Sequence, residues 1–143
     1  MLTPDVVFKL ANSFALLGWV VLIALGWTRR VASLITAVAL PLVFAALYTV
    51  VLAAHAHENG GSFNSLSGVA ALFSNRWFLL AGWVHYLAFD LFVGSWEARD
   101  AAVNRIPHWL VIPCLILTFL FGPAGLLLYF VLRVSMRRQL QIT

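Results

Sequence analysis

The chain has 143 residues, of which 63% are hydrophobic and 10% charged. A soluble domain is about half apolar and about a quarter charged, so a water-surrounded globular protein is excluded. The nine Lys and Arg residues give a formal net charge of +4, but they lie scattered at the ends of apolar runs and form no basic stripe, which argues for lipid headgroups and against nucleic acid as the partner.

A single domain over residues 1–143 is expected, an all-α polytopic membrane protein folded as an antiparallel bundle of four transmembrane helices. Each crossing needs about 20 mostly apolar residues. The first stretch that qualifies covers residues 6–27. It is as long as a full span and lacks a small-residue cleavage site, so it reads as a retained helix and not as a signal peptide. Lys9, Asn12 and Ser13 make a polar patch early in it. Asn12 is placed on the interior, and Lys9 either snorkels to headgroups or neutralises Glu97.

Thr28, Arg29 and Arg30 form a connection short enough to make the next span, residues 32–54, an antiparallel neighbour. Pro41 is expected to kink that helix and free a carbonyl. Tyr48 and His55 share one of its faces, and His55 and His57 stand where it ends. Alternate spacing on a helix suits metal ligation poorly. No metal is therefore expected, His55 and His57 being weak candidates and more plainly interfacial histidines. The glycine- and serine-rich segment that follows carries Leu66, Val69, Ala70 and Phe73 at helical spacing behind Ser65 as N-cap, which suggests a short interfacial helix over residues 65–73 against the alternative of a disordered loop.

The third span, residues 77–96, is bracketed by Trp77 and Trp96, while Trp27 and Trp109 mark other predicted ends as an aromatic belt requires. The fourth covers residues 110–132, with Thr118 and Gly122 as a small-residue face for close packing or homo-oligomerisation and Pro123 as a bend. The lone cysteine, Cys114, excludes an internal disulfide and reads as packing. Four spans place both termini on one side. Lys9, Arg76, Arg133, Arg137 and Arg138 then oppose Arg29, Arg30, Arg99 and Arg105, too even a split for the positive-inside rule, although the last cluster favours a cytoplasmic C-terminus.

Chemistry concentrates in the third span. His85 lies about 12 Å and Asp90 about 20 Å along the helix from Trp77, which brackets the bilayer midplane. Ionisable groups at that depth are costly unless paired, protonated or hydrated, and so mark interior sites. Trp83, Tyr86, Gly94 and Glu97 share a face with Asp90 by steps of seven and four, whereas His85 points about 140° away. Either another helix closes a site between them or each serves a different cavity wall. The plain alternative is that both are interhelical hydrogen-bond anchors.

The run Gly82-Trp83-Val84-His85-Tyr86-Leu87-Ala88-Phe89-Asp90-Leu91-Phe92, with Gly94-Ser95-Trp96-Glu97-Ala98-Arg99-Asp100, Ile106-Pro107-His108, Pro113-Cys114-Leu115 and the stretch from Leu117 to Leu127, resembles a bacterial member of the abscisic-acid-deficient-four-like membrane family. That family includes the plant plastid protein needed to convert violaxanthin to neoxanthin. The resemblance implies four membrane helices and an isomerisation that opens a carotenoid epoxide and removes a proton, with an acid near oxygen and a base near carbon. His85 and Asp90 match the His and Asp of the plant pattern, and Trp96 and Glu97 belong to the bacterial one.

The function expected is binding or acid-base isomerisation of a carotenoid or isoprenoid lipid, in a bacterial inner membrane. Asp90 is the acid, His85 the base, and Trp83, Tyr86, Phe89, Gly94, Glu97, Asn12 and Tyr48 line the site. No cofactor is expected. The alternatives are a non-catalytic binding or assembly subunit and a proton or small-solute pathway.

Overall fold

The computed structural model describes residues 3–26, 33–58 and 60–137, whose regular structure is all helical, with no strand among the described residues. Trp27, the Thr28, Arg29 and Arg30 connection, Ala32 and Arg138 lie outside the described residues. Helix α1 is Pro4–Leu25. Thr3 caps it by accepting from the Val6 N–H at 3.4 Å, and Pro4, whose missing N–H costs nothing at a helix start, occupies its first turn. It stops at Gly26, whose φ of 54° is free for glycine.

Helix α2 is Leu40–His55, led by a π-helical turn Ile35–Ala39 and trailed by a short 3-10 turn Ala56–Glu58. The π turn sits immediately before Pro41. A proline ring collides with the carbonyl four residues back and offers it no N–H, and one wider turn, closed by Leu40 N–H to the Ile35 carbonyl, absorbs the conflict. Helix α3, Leu66–Ser74, starts at Ser65, which accepts from the Gly68 N–H at 3.0 Å.

The organising element is α4, Arg76–Val103, 28 residues or about 42 Å long. Asn75 caps it through a 2.8 Å bond from the Trp77 N–H. Helix α1 runs parallel to it: Asp5 meets Arg76, Asn12 meets Trp83, and Trp19 covers Gly94, where an added Cβ would come within 2.5 Å of the indole. Helix α2 runs antiparallel, with His55 stacked on Trp77 at 4.2 Å and Tyr48 beside His85 at 5.5 Å. Pro4–Leu25, Ile35–Glu58 and Arg76–Val103 are each long and apolar enough to cross a membrane.

The fourth stretch departs from expectation. In place of one span over residues 110–132 there are two short helices, α5 (His108–Phe121) and α6 (Pro123–Arg137), broken at Gly122 with φ 45°. Pro123 does more than bend the chain, because α6 folds back along α5. A Cβ on Gly125 would run into the Thr118 backbone, seven residues earlier, a proximity that a continuous helix forbids. The tip at Gly122 lies against Asp90, midway along α4, while Tyr129 and Arg133 of α6 reach Asp100 near the C-terminal end of α4. Helix α5 therefore leaves that end of α4 and α6 returns to it.

A side chain at Gly125 has no room in this hairpin. Gly125→Val should destabilise the protein by about 1–3 kcal/mol, the usual cost of overpacking, read as a lowered thermal midpoint in detergent, whereas Ala124→Val at the exposed neighbouring position should change it little.

Candidate functional site

A cavity of about 550 Å³ forms a groove between the first turns of α1 and α4. Phe8, Phe73, Leu79, Leu80, Trp83 and Tyr86 line it, and the Asp5–Arg76 ion pair stands at its mouth. Asn12 holds one wall: its Oδ1 accepts from Trp83 Nε1 at 3.0 Å, fixing the indole against Phe8 on one side and Tyr86 on the other. At the inner end the Tyr86 hydroxyl donates to the Phe119 carbonyl at 3.2 Å and also interacts with the Asp90 carboxyl. Asp90 is half-buried and faces the hairpin tip; a Cβ at Gly122 would lie 2.9 Å from its Oδ1, and its Oδ2 is buried with no hydrogen-bond partner. Such an oxygen, left without a partner where water is scarce, is available to a ligand.

His85 lies elsewhere. It lines a second cavity of about 340 Å³ with Tyr48, Leu52, Phe63, Leu72, Phe78 and Ala81, on the α2 side of α4. The ring is exposed and stacks on Phe89 at 4.5 Å. His85 and Asp90 are therefore not brought into one cavity, as their angular separation on the helix dictates. Phe73 and Gly82 border both cavities. The Phe73 ring occupies the space that a side chain at Gly82 would take, 2.9 Å from an added Cβ, and so partitions the two.

Four residues expected to line the site lie away from Asp90; Tyr48 borders the His85 cavity, and three others do something else. Gly94 is sealed by Trp19. Phe89 is 58% exposed and borders a shallow hollow with Pro41 and Leu42 on the α2 face. Glu97 is 0% exposed, with both carboxyl oxygens within 3.1 Å of the Thr118 hydroxyl on α5. Lys9 cannot neutralise it, because Lys9 lies near the Asn12–Trp83 level, about 20 Å along α4 from Glu97. Thr118 and Gly122, the small-residue face, are buried inside the chain and leave no small-residue surface there for a second copy.

His55, His57 and Glu58 meet at the end of α2. His55 Nδ1 is 2.8 Å and His57 Nε2 3.8 Å from Glu58 Oε1, and Asn75 Nδ2 donates to Glu58 Oε2 at 3.1 Å, tying this end to the cap of α4. Among the described residues no group of three or more His, Cys, Asp or Glu side chains is arranged to hold a metal ion, this one included.

The sequence reading missed the polar cluster of the hairpin. Asp100 pairs with Arg133 through Nε at 2.7 Å and Nη2 at 3.1 Å, and accepts from the Tyr129 hydroxyl. All three are at most 3% exposed. The available signal was Tyr129 and Arg133 at a spacing of four, one face of a helix otherwise apolar. Removing one member of a buried pair strands the other charge. Arg133→Met should cost about 3–5 kcal/mol of stability, and adding Asp100→Asn, which discharges the partner yet still accepts from Tyr129, should restore most of it in thermal unfolding of the detergent-solubilised double variant.

Comparison with known proteins adds one match. The model of the ABA DEFICIENT 4-like family covers residues 6–129. No curated protein and no solved structure matches the chain.

Proposed function

The chain belongs to the ABA DEFICIENT 4-like family, and from that premise we propose that it is a single-domain integral membrane protein that takes a carotenoid-like isoprenoid lipid into the groove beside Trp83 and isomerises it by proton transfer. The observation that carries this reading is the groove itself. Its walls are mostly apolar between the Asp5–Arg76 pair at the mouth and Tyr86 at the inner end, and Tyr86 interacts there with the Asp90 carboxyl, whose Oδ2 is buried and unpartnered.

The chemistry needs an acid at an oxygenated carbon and a base at a neighbouring one. Asp90 donates a proton to the epoxide oxygen, steadied by Tyr86, as one C–O bond opens; a proton leaves a neighbouring carbon, the oxygen stays as a hydroxyl, and the product has the composition of the substrate. No electrons are gained or lost, so the step requires no redox partner. His85 is the base in this scheme, which imposes a path on the ligand. The polyene must pass beneath Phe73 and over Gly82, the one place where α4 presents no side chain between the two cavities. The cytoplasmic membrane of a bacterium is the compartment this reading assigns.

A second reading draws on the separation of His85 from Asp90. The protein then holds a carotenoid or a partner helix without turning it over, and both residues serve as anchors. Asp90→Asn distinguishes the two. The variant preserves shape, so it should still fold and retain pigment, yet lose about 100-fold or more of conversion if Asp90 is the acid. Chromatography and mass spectrometry of lipid extracts from a carotenoid-producing host, with wild type, with Asp90→Asn and without the chain, read the result. Unchanged conversion by Asp90→Asn would favour the holding role, and extracts identical in all three would sink the isomerase.

A further inference from the structure

We propose that the chain crosses the membrane three times with its arginine-rich end in the cytoplasm, so that the groove beside Trp83 opens into the non-cytoplasmic leaflet and takes its lipid from there. That the groove holds an isoprenoid rests on the function proposed above; the orientation does not.

The hairpin supplies the first step. Helices α5 and α6 have 14 and 15 residues, about 21 and 22 Å, which is short of the roughly 30 Å of hydrocarbon. Their tip meets Asp90, at the middle of α4, and their open end meets Asp100. A hairpin that enters to mid-depth and leaves by the same face adds no crossing. The irregular backbone at its tip is tolerated because Gly122 is buried in protein and shielded from lipid. The N-terminal end of α1 and the C-terminal end of α6 then lie on opposite sides.

This rearrangement changes the charge balance. Lys9 and Arg76 remain at the end of the bundle where α1 and α4 begin. Arg99, Arg105, Arg133 and Arg137 gather at the other. In sequence, Arg29 and Arg30 fall in the connection that joins α1 to the π turn before α2, and Arg138 follows α6. The nine Lys and Arg residues thus divide seven against two, where a fourth crossing would divide them five against four. All sit in short connections or close to helix ends, the setting in which the excess of Lys and Arg decides orientation.

The groove belongs to the poorly charged half. Its outer residues, Pro4, Asp5 and Arg76, are the first turns of α1 and α4, and its deepest, Tyr86, stops just short of the midpoint of α4. On the same side Phe63 and Leu66, 80% and 86% exposed, present apolar surface from α3 and the turn before it, as a helix lying in the headgroup region would. A lipid approaching from the cytoplasmic leaflet meets instead the hairpin, where a hollow of about 290 Å³ lined by Phe92, Val93, Trp96, Leu126 and Phe130 does not include Tyr86 or Asp90.

Single cysteines test this in a Cys114→Ala background. With a membrane-impermeant maleimide on intact cells, Asn64→Cys should label, and Met136→Cys should label only after permeabilisation. Labelling of both from one side would mean a fourth crossing and would overturn the proposal. Opposite sides in the reverse sense would retain the hairpin and overturn the orientation and the leaflet. Should Cys114→Ala not fold, fusions to the C-terminus of the unaltered chain decide: green fluorescent protein there should be fluorescent and alkaline phosphatase inactive, and the converse would overturn the orientation. None of these readings depends on what the groove binds.

Discussion

A charge kept from water must find its partner inside the protein, and the second half of the chain is arranged around that requirement. Asp100 stands near the end of α4 with its carboxylate buried. Only a helix returning to the same end can bring Tyr129 and Arg133 to it, and α6 returns because Gly122 turns the chain and Gly125 lets the two arms of the hairpin touch. In a low-dielectric interior the ion pair offsets its own desolvation only when its geometry and hydrogen bonds are complete. Arg133 Nη2 and the Tyr129 hydroxyl each donate to Asp100, Arg133 Nε lies 2.7 Å from its Oδ2, and these contacts register α6 against α4.

The same folding back creates the polar end of the groove. The Phe119 carbonyl that receives Tyr86 belongs to the last turn of α5, whose carbonyls lack partners further along the helix because the helix stops. Pro123, four residues on, has no N–H to offer that carbonyl even in a continuous helix, and such a helix would have carried Gly122 past Asp90. The interruption thus leaves a small polar region at mid-depth, next to a groove whose walls are otherwise aromatic and aliphatic. Such irregular backbone within an apolar bundle is tolerated where it is covered by protein, as Gly122 is here.

What the sequence reveals follows from which signals are local. The three long helices are legible from the length and apolarity of their runs, and the cap at Ser65 and the phase difference between His85 and Asp90 from spacing alone. The extension of α4 to Val103 is not, because Glu97, Arg99 and Asp100 look like the polar exit of a span. Two of the three are buried by partners more than twenty residues away, and periodicity carries no record of such contacts. The run from 110 to 132 misleads for a related reason. Hydropathy counts apolar residues without regard to direction, so a hairpin of two short arms and a single span produce the same run. Only Gly122-Pro123 differs, and a glycine before a proline signals a bend, an interruption or a reversal equally well.

Direction also settles why the two halves of α4 are so differently furnished. Toward its N-terminus the helix is flanked by α1, α2 and α3, which leave grooves on either side of Gly82; toward its C-terminus the hairpin packs Thr118, Tyr129 and Arg133 against it and leaves a smaller hollow beside Trp96 and Phe130. To admit the lipid proposed for it, the groove needs an end loose enough to part, and its end is held together by exposed contacts such as Asp5–Arg76 and the His55–Glu58–Asn75 chain, each weak in water and readily remade. The other end cannot part without stranding a buried charge. Motion that widens the groove should therefore pivot about the hairpin, with α1 and α3 yielding while α4, α5 and α6 move as one body.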